Sequence, residues 1–354
     1  MLCEVPQGKW IDGFAQALGR CGISRGTRVA LLSETESRRL NIELCELALD
    51  RLGARWVSIR VPSPPQGEVI PVRSTGSSIA LKDNQLAVRA ISGAEVIIDG
   101  SVEGLLHSSE LSEALASGAR MLMISNEHPD VLERIALGPS LKDAVLSARK
   151  QLTAANTMVV ESRHGTKLRV DLAEAVVGGN WGYCTEPGTR AHWPGGLVAC
   201  FPRARSVSGQ IVLAPGDANL TFKRYIEQPV HLTLENDYVV DIQGENLDAE
   251  LMRSYLAAWQ ERDAYAVSHV GWGLNPAARW ESLAMYDRAN INGTELRVFS
   301  GNFLFSTGAN EHAGRHTKGH FDIPMRGCSI YLDGNPVVVD GHLHPKTEWR
   351  HDET

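Results

Sequence analysis

Six cysteines in 354 residues, Cys3, Cys21, Cys45, Cys184, Cys200 and Cys328, stand far apart and never form a Cys-x-x-Cys pair. In a chain this long, scattered cysteines suit reduced thiols in a cytoplasm better than a disulfide framework. No run of Lys and Arg is long enough to track a phosphate backbone, and the formal net charge is −7. Nucleic acid is therefore not an expected partner. No window reaches the roughly 18 apolar residues of a membrane span. The opening stretch "MLCEVPQGKWIDGF" has an early acidic residue and no apolar h-region, so it does not read as a secretory signal. These absences together predict a cytoplasmic location.

Several chemical signatures are also missing. There is no phosphate-binding Gly-x4-Gly-Lys and no His-Glu-x-x-His. "VVGGNWGY" carries three glycines, yet it neither follows a clear strand nor opens a helix, so it reads as a glycine loop and not as a dinucleotide site.

What is present is an ordinary globular composition, 43% hydrophobic and 22% charged, with enough chain for two domains. Up to about residue 155, short apolar runs alternate with helical patterns. "RVALLSE", "RWVSIRV", "AEVIIDG" and "ARMLMIS" read as strands, with helices over "SRRLNIELCELALDRLGA" and "LSEALASG". "PSLKDAVLSARKQLTAAN" reads as a long closing helix. That alternation predicts an α/β N-terminal domain, 1–155, with a mostly parallel sheet. From residue 156 the punctuation becomes Asp-Gly, Gly-Asn and Pro between β-like runs, interrupted by a helix over "NLDAELMRSYLAAWQERD". This predicts an α+β C-terminal domain, 156–354, rich in antiparallel strands.

The chemistry starts at "KGHFDIPMRGCSIYLDG". Residues i and i+2 of a strand share a face, so His320 and Asp322 can present an imidazole and a carboxylate together. His269, in "AYAVSHVGWGLNP", reads as the end of an apolar strand just before a glycine-rich turn, where it can supply a third ligand. Two histidines and one carboxylate with open positions suit a non-haem Fe(II) centre. Spacing alone equally admits a hydrogen-bonded His–Asp pair on a strand face, with His269 a satisfied core histidine. His312, His316 and His320 fall at helical spacing, but Gly314 and Gly319 argue against a helix there. His342 and His344 read as surface residues next to a polar tail.

In order and spacing, "SHVGWGLNP", "GNFLFSTG" and "GHFDIPMRGCSIYLDG" resemble the 2,5-dihydroxypyridine 5,6-dioxygenases. That family is distantly related to the thermophilic metallo-aminopeptidases of the aminopeptidase T type. The resemblance is strongest from about 160 to 341 and present near "EGLLHSSE". Aligned with the peptidases, Leu197 and Leu304 stand where a metal-binding glutamate and histidine are expected, and His269 where a second glutamate is expected. Leucine coordinates nothing, so a two-metal hydrolytic site is reduced to one centre of two histidines and one carboxylate.

The resemblance implies an Fe(II)-dependent enzyme that opens 2,5-dihydroxypyridine between C5 and C6 to N-formylmaleamate, in nicotinate or nicotine breakdown. It implies His269, His320 and Asp322 as iron ligands, and His107 as the acid/base that takes a proton from the 5-hydroxyl. It also implies Arg297 on the oxygenated ring and His192 beside the "HWPGGLV" loop; His164 is explained by a hairpin turn. The expected partners are a small N-heteroaromatic substrate, dioxygen and further copies of the chain in a homo-oligomer. The alternatives are a metallo-aminopeptidase with an altered site and a non-catalytic metal or ligand binder.

Overall fold

The strand Val96–Asp99 is buried at every position and Arg28–Glu34 at all but its first residue. Strands buried on both faces belong inside a parallel sheet covered by helices. That is what forms: Arg55–Val61, Arg28–Glu34, Val96–Asp99 and Arg120–Ile124 lie side by side and parallel. One face, with Leu31, Ile98 and Leu122, packs against Phe14 and Leu44; the other, with Leu32, Ile97 and Met121, packs against Val88 and Leu111. The helices Arg39–Leu52, Ser109–Ala116 and Pro139–Ala154 match the sequence pattern. Gly8–Arg20 is a helix that the sequence reading did not include; it buries Trp10, Phe14, Ala17 and Leu18 along one stripe.

The computed structural model describes residues 2–65, 78–106, 108–135 and 138–345. A fifth parallel strand, Arg190–Trp193, joins the first sheet next to Arg120–Ile124 although it lies beyond residue 155. The Pro139–Ala154 helix, which precedes that residue, contributes Val145 and Leu152 to the C-terminal core. The two halves of the chain are thus interleaved at their junction.

The C-terminal half holds an eight-stranded and a five-stranded antiparallel sheet. The first contains the expected hairpin Thr157–Ser162 with Lys167–Asp171, and Cys328–Leu332. The second runs, in spatial order, Arg315–Met325, Phe303–Asn310, Val267–Gly273, Leu197–Phe201 and Val176–Asn180. One apolar cluster, including Met158, Val160, Val198, Trp272, Phe305 and Phe321, is shared by both sheets. Among the described residues, all six cysteines are free thiols and no helix is long and apolar enough to cross a membrane.

Two sequence expectations are corrected here. Val176–Asn180 of "VVGGNWGY" is a paired strand and not a loop, because Leu197–Phe201 gives its glycines antiparallel partners. The His269 strand does not stop before the glycines but continues to Gly273. A Cβ on Gly271 would lie 2.0 Å from the Val198 carbonyl, so glycine there lets two strands approach closely.

Candidate active site

Alternation along the strands of the five-stranded sheet sorts core from site. Phe303 and Phe305 enter the core while Leu304 lines a cavity, and Phe321 and Ile323 enter the core while His320 and Asp322 line the same cavity. Register then brings the polar residues together. Asp322 lies opposite Ser306, and His320 opposite Gly308. On the next strand Val267 pairs with Thr307 and Val270 with Phe305, so Ser268 and His269 occupy a stretch with one residue more than its partner. This β-bulge re-aims His269 toward Ser306 and Asp322.

The ligand-type atoms of His269, His320 and Asp322 all lie within 4.8 Å of one another. Asp322 Oδ1 is 3.1 Å from His320 Nε2 and 3.8 Å from His269 Nε2, and the two imidazoles stack at 5.6 Å. Ser306 Oγ donates to Asp322 Oδ1 and stands 3.1 Å from His269 Nε2. The Tyr255 hydroxyl donates to the His320 carbonyl at 2.7 Å, which fixes the backbone between the two polar side chains.

Electrostatics favour the protonation states that coordination needs. Burial pushes the His269 imidazole down to about 4 despite the neighbouring Asp322 charge, so it is neutral near pH 7. For Asp322, burial alone would raise the pKa, but His320 and Arg297 outweigh it and hold the carboxyl well below its usual range.

The hydrogen bonds test whether a cation fits. Ser268 Oγ spends its proton on the Ala309 carbonyl at 2.6 Å, so toward His269 Nδ1, 3.2 Å away, it can only accept. His269 therefore carries its proton on Nδ1 and turns a bare Nε2 toward Asp322. The single Ser306 proton is committed to Asp322, which leaves that Nε2 facing an oxygen with no proton between them. A lone pair and a carboxylate that converge without enough protons fit a metal ion, and the N, N, O donor set suits a divalent transition metal.

The cavity above the cluster has a volume of about 330 Å³. Leu197, Ala199, Phe201, Leu304 and Met123 form apolar walls, while Asn180, His192 and Arg297 supply polar groups. It lies between the five-stranded sheet and the carboxyl end of the parallel sheet, where Ser125 follows the strand Arg120–Ile124. Leu197 and Leu304, the two positions aligned with peptidase ligands, both line it with hydrocarbon.

Arg297, on the short helix Thr294–Val298, lines the cavity and gives its Nε to Asp322 Oδ2 at 2.5 Å. His192 lines the cavity from the edge strand of the parallel sheet, and burial with the nearby Arg297 charge lowers its pKa to about 4. His107 lies outside the described residues; its neighbour Leu106 lines the cavity. His164 sits exposed in the hairpin turn. His312 and His316 flank a smaller neighbouring cavity, on a short 3-10 turn and a strand and not on one helix. His342 is exposed at the surface, whereas His344 is half-buried, its backbone N–H donating to the Val337 carbonyl.

Sequence reasoning missed Ser268, Ser306, Asn180 and Glu127. Glu127 is fully buried and accepts the backbone N–H groups of Asn292 at 2.7 Å and Thr294 at 2.9 Å, which anchors the segment that bears Arg297. Only Ser306 had a usable signal, since it shares a strand face with Leu304.

An α/β half and an antiparallel half that meet over two histidines and one carboxylate able to hold a metal ion, beneath a small, largely apolar cavity, define the class. The 2,5-dihydroxypyridine 5,6-dioxygenase family model matches residues 9–345. A 2,5-dihydroxypyridine 5,6-dioxygenase of Pseudomonas putida is 33% identical over 341 residues, covering 95% of this chain and 96% of its own. The solved structure of 2,5-dihydroxypyridine dioxygenase from Pseudomonas putida superposes with a TM-score of 0.90 at 32% identity, covering 96% of this chain and 99% of that one. AmpT from Thermus thermophilus shares the fold, with a TM-score of 0.58 at 13% identity, covering 95% and 98%. The chain belongs to the 2,5-dihydroxypyridine 5,6-dioxygenase family.

Proposed function

We propose that this chain is an Fe(II)-dependent dioxygenase that opens 2,5-dihydroxypyridine between C5 and C6 to N-formylmaleamate. The observation that carries the reading is the convergence of His269, His320 and Asp322 at the floor of a cavity sized for one small ring, in a chain of this family. When bound, a ferrous ion supplies the one-electron chemistry that lets dioxygen react with an aromatic ring.

The rest is the work of the chain's own residues. Leu197, Leu304, Phe201 and Ala199 face the ring with hydrocarbon and keep water from the site. Arg297 lies at the seam between Asp322 and the cavity; its guanidinium holds the carboxylate through Nε and offers further N–H groups to a ring oxygen. His192 is neutral near pH 7 and lines the wall as a polar contact for the ring. His107, by its family position, takes the proton of the 5-hydroxyl, which enriches the ring in electrons. A cytoplasmic location, a role in nicotinate or related pyridine breakdown, assembly as a homo-oligomer and the division into 1–155 and 156–354 belong to the same reading.

The test is to purify the chain anaerobically, add ferrous iron and follow oxygen uptake together with product formation from 2,5-dihydroxypyridine. Oxygen consumed one-to-one with ring lost is the expected result. Peptide hydrolysis without oxygen uptake would overturn it in favour of the peptidase alternative, against which Leu197 and Leu304 already count.

A further inference from the structure

The strand that the sequence disguised as a glycine loop ends in Asn180, and the side-chain amide of Asn180 holds His192 from one side. Its Oδ1 accepts the His192 backbone N–H at 3.1 Å and the Gly182 N–H at 3.3 Å. Its Nδ2 reaches the His192 carbonyl at 2.9 Å and the Pro194 carbonyl at 3.3 Å, and stands 3.1 Å from His192 Nδ1. Two backbone N–H groups that converge on one atom of an amide identify that atom as oxygen, so the other atom is the NH2. The NH2 group has two protons for three neighbours, and the two nearer ones, the His192 carbonyl at 2.9 Å and Nδ1 at 3.1 Å, take them when Nδ1 is bare and accepts, which leaves out the Pro194 carbonyl at 3.3 Å.

We propose that Asn180 is a positioning residue that fixes the tautomer of His192, with Nδ1 bare and Nε2–H turned to the cavity as a hydrogen-bond donor. On this assignment His192 cannot serve as a base; it offers a proton to an oxygen of the bound ring and keeps its own. With Arg297 it makes a wall of donors, which selects ligands that present oxygen acceptors, such as a hydroxypyridine in its pyridone or pyridinolate form. The competing arrangement has Nδ1–H donating to the Pro194 carbonyl, which would set that proton against the Asn180 NH2 group. The role toward the ring rests on the ring-cleaving reading above; the tautomer does not.

The experiment has two arms. In the first, the full-length chain is labelled with 15N-histidine and loaded with Zn(II), and the His192 resonances are assigned by their loss in His192→Gln. The expected pattern at pH 7.5 is the Nε2–H tautomer; an Nδ1–H pattern or an imidazolium overturns the proposal, and this arm needs no Asn180 variant to fold. In the second, Asn180→Asp keeps an oxygen for both backbone N–H groups and replaces the donor that faces Nδ1 with an acceptor. The proton is expected to appear on Nδ1, and KM for 2,5-dihydroxypyridine in the iron-loaded variant to rise about tenfold or more. Iron content should stay at the wild-type level. A relocated proton with an unchanged KM refutes the donor role. A wild-type enzyme that consumes no oxygen with this ring would sink the ring-cleaving reading and leave the tautomer to be decided by the spectra.

Discussion

Ser268→Ala is the perturbation that isolates the preparation of the proposed metal centre from its candidate ligands. The hydroxyl accepts from His269 Nδ1 at 3.2 Å and donates to the Ala309 carbonyl at 2.6 Å, in a residue 1% exposed. Its loss removes two hydrogen bonds, each worth about 1 kcal/mol net. It also frees the imidazole to carry its proton on Nε2, where a metal must bind. Loss of a partner of this kind weakens metal affinity by about 10–100-fold, or about 1.4–2.8 kcal/mol. The assay is competition between the full-length protein and a chromophoric chelator for Zn(II), repeated anaerobically with Fe(II). The metal-free variant should also unfold at lower urea, by about 1–2 kcal/mol. If Ser268→Ala binds both metals within twofold of wild type, the tautomer argument for His269 is wrong. A parallel loss of stability without loss of affinity would assign Ser268 to strand packing alone.

Burial holds His192 and His269 near pKa 4, against about 6.5 in an unfolded chain, so between these values the unfolded state binds the extra protons. Stability of the metal-free protein should therefore be full above pH 6.5 and fall toward pH 4, by at most about 3 kcal/mol per histidine. Asp322 has the opposite shift and adds its loss only below about pH 4. Urea titrations at pH 7, 5.5 and 4.5 measure this, and a flat profile would refute the buried neutral imidazoles. Glu127→Gln leaves one acceptor for the two N–H groups of Asn292 and Thr294; KM should rise several-fold by steady-state oxygen uptake while iron content holds. Gly308 lies opposite His320 at φ +123°, and an added Cβ would sit 2.2 Å from the Gly319 carbonyl. Gly308→Ala should cost about 2 kcal/mol or more in urea denaturation and lower iron content as the His320 register shifts.

Most of the sheet elements were legible because each carries a periodicity of its own. Arg28–Glu34 and Arg315–Met325 match their apolar patterns, and the His320/Asp322 pair follows from the period of two. Val176–Asn180 was not legible, because "VVGGN" has no alternation; its strand identity comes from Leu197–Phe201 alongside it. Arg190–Trp193 is four residues long and takes its parallel partner from a strand some seventy positions earlier, a pairing that no local pattern encodes. The bulge at Ser268 is equally silent, since the extra residue exists only relative to Phe303–Asn310. Residue types nominated the candidate ligands. Their support, from Ser268, Ser306, Asn180 and Glu127, depends on register and on contacts between the two halves.

The fold is shared with AmpT, and register shows where Leu197 and Leu304 stand relative to the candidate ligands here. Leu304 is two positions before Ser306 on the same strand, and Ser306 lies opposite Asp322, so position 304 faces the ring side of the cluster. Leu197 pairs with Gly273 on the far side of the His269 strand and faces the same cavity. A ligand at either position would draw a second cation into the volume that a planar ring needs. Leucine at both turns that volume apolar and leaves the polar demand of the cavity to His192, Asn180 and Arg297 on its walls. On the proposed reading, these two backbone positions keep the cavity above His269, His320 and Asp322 apolar without any change in the strands that hold them.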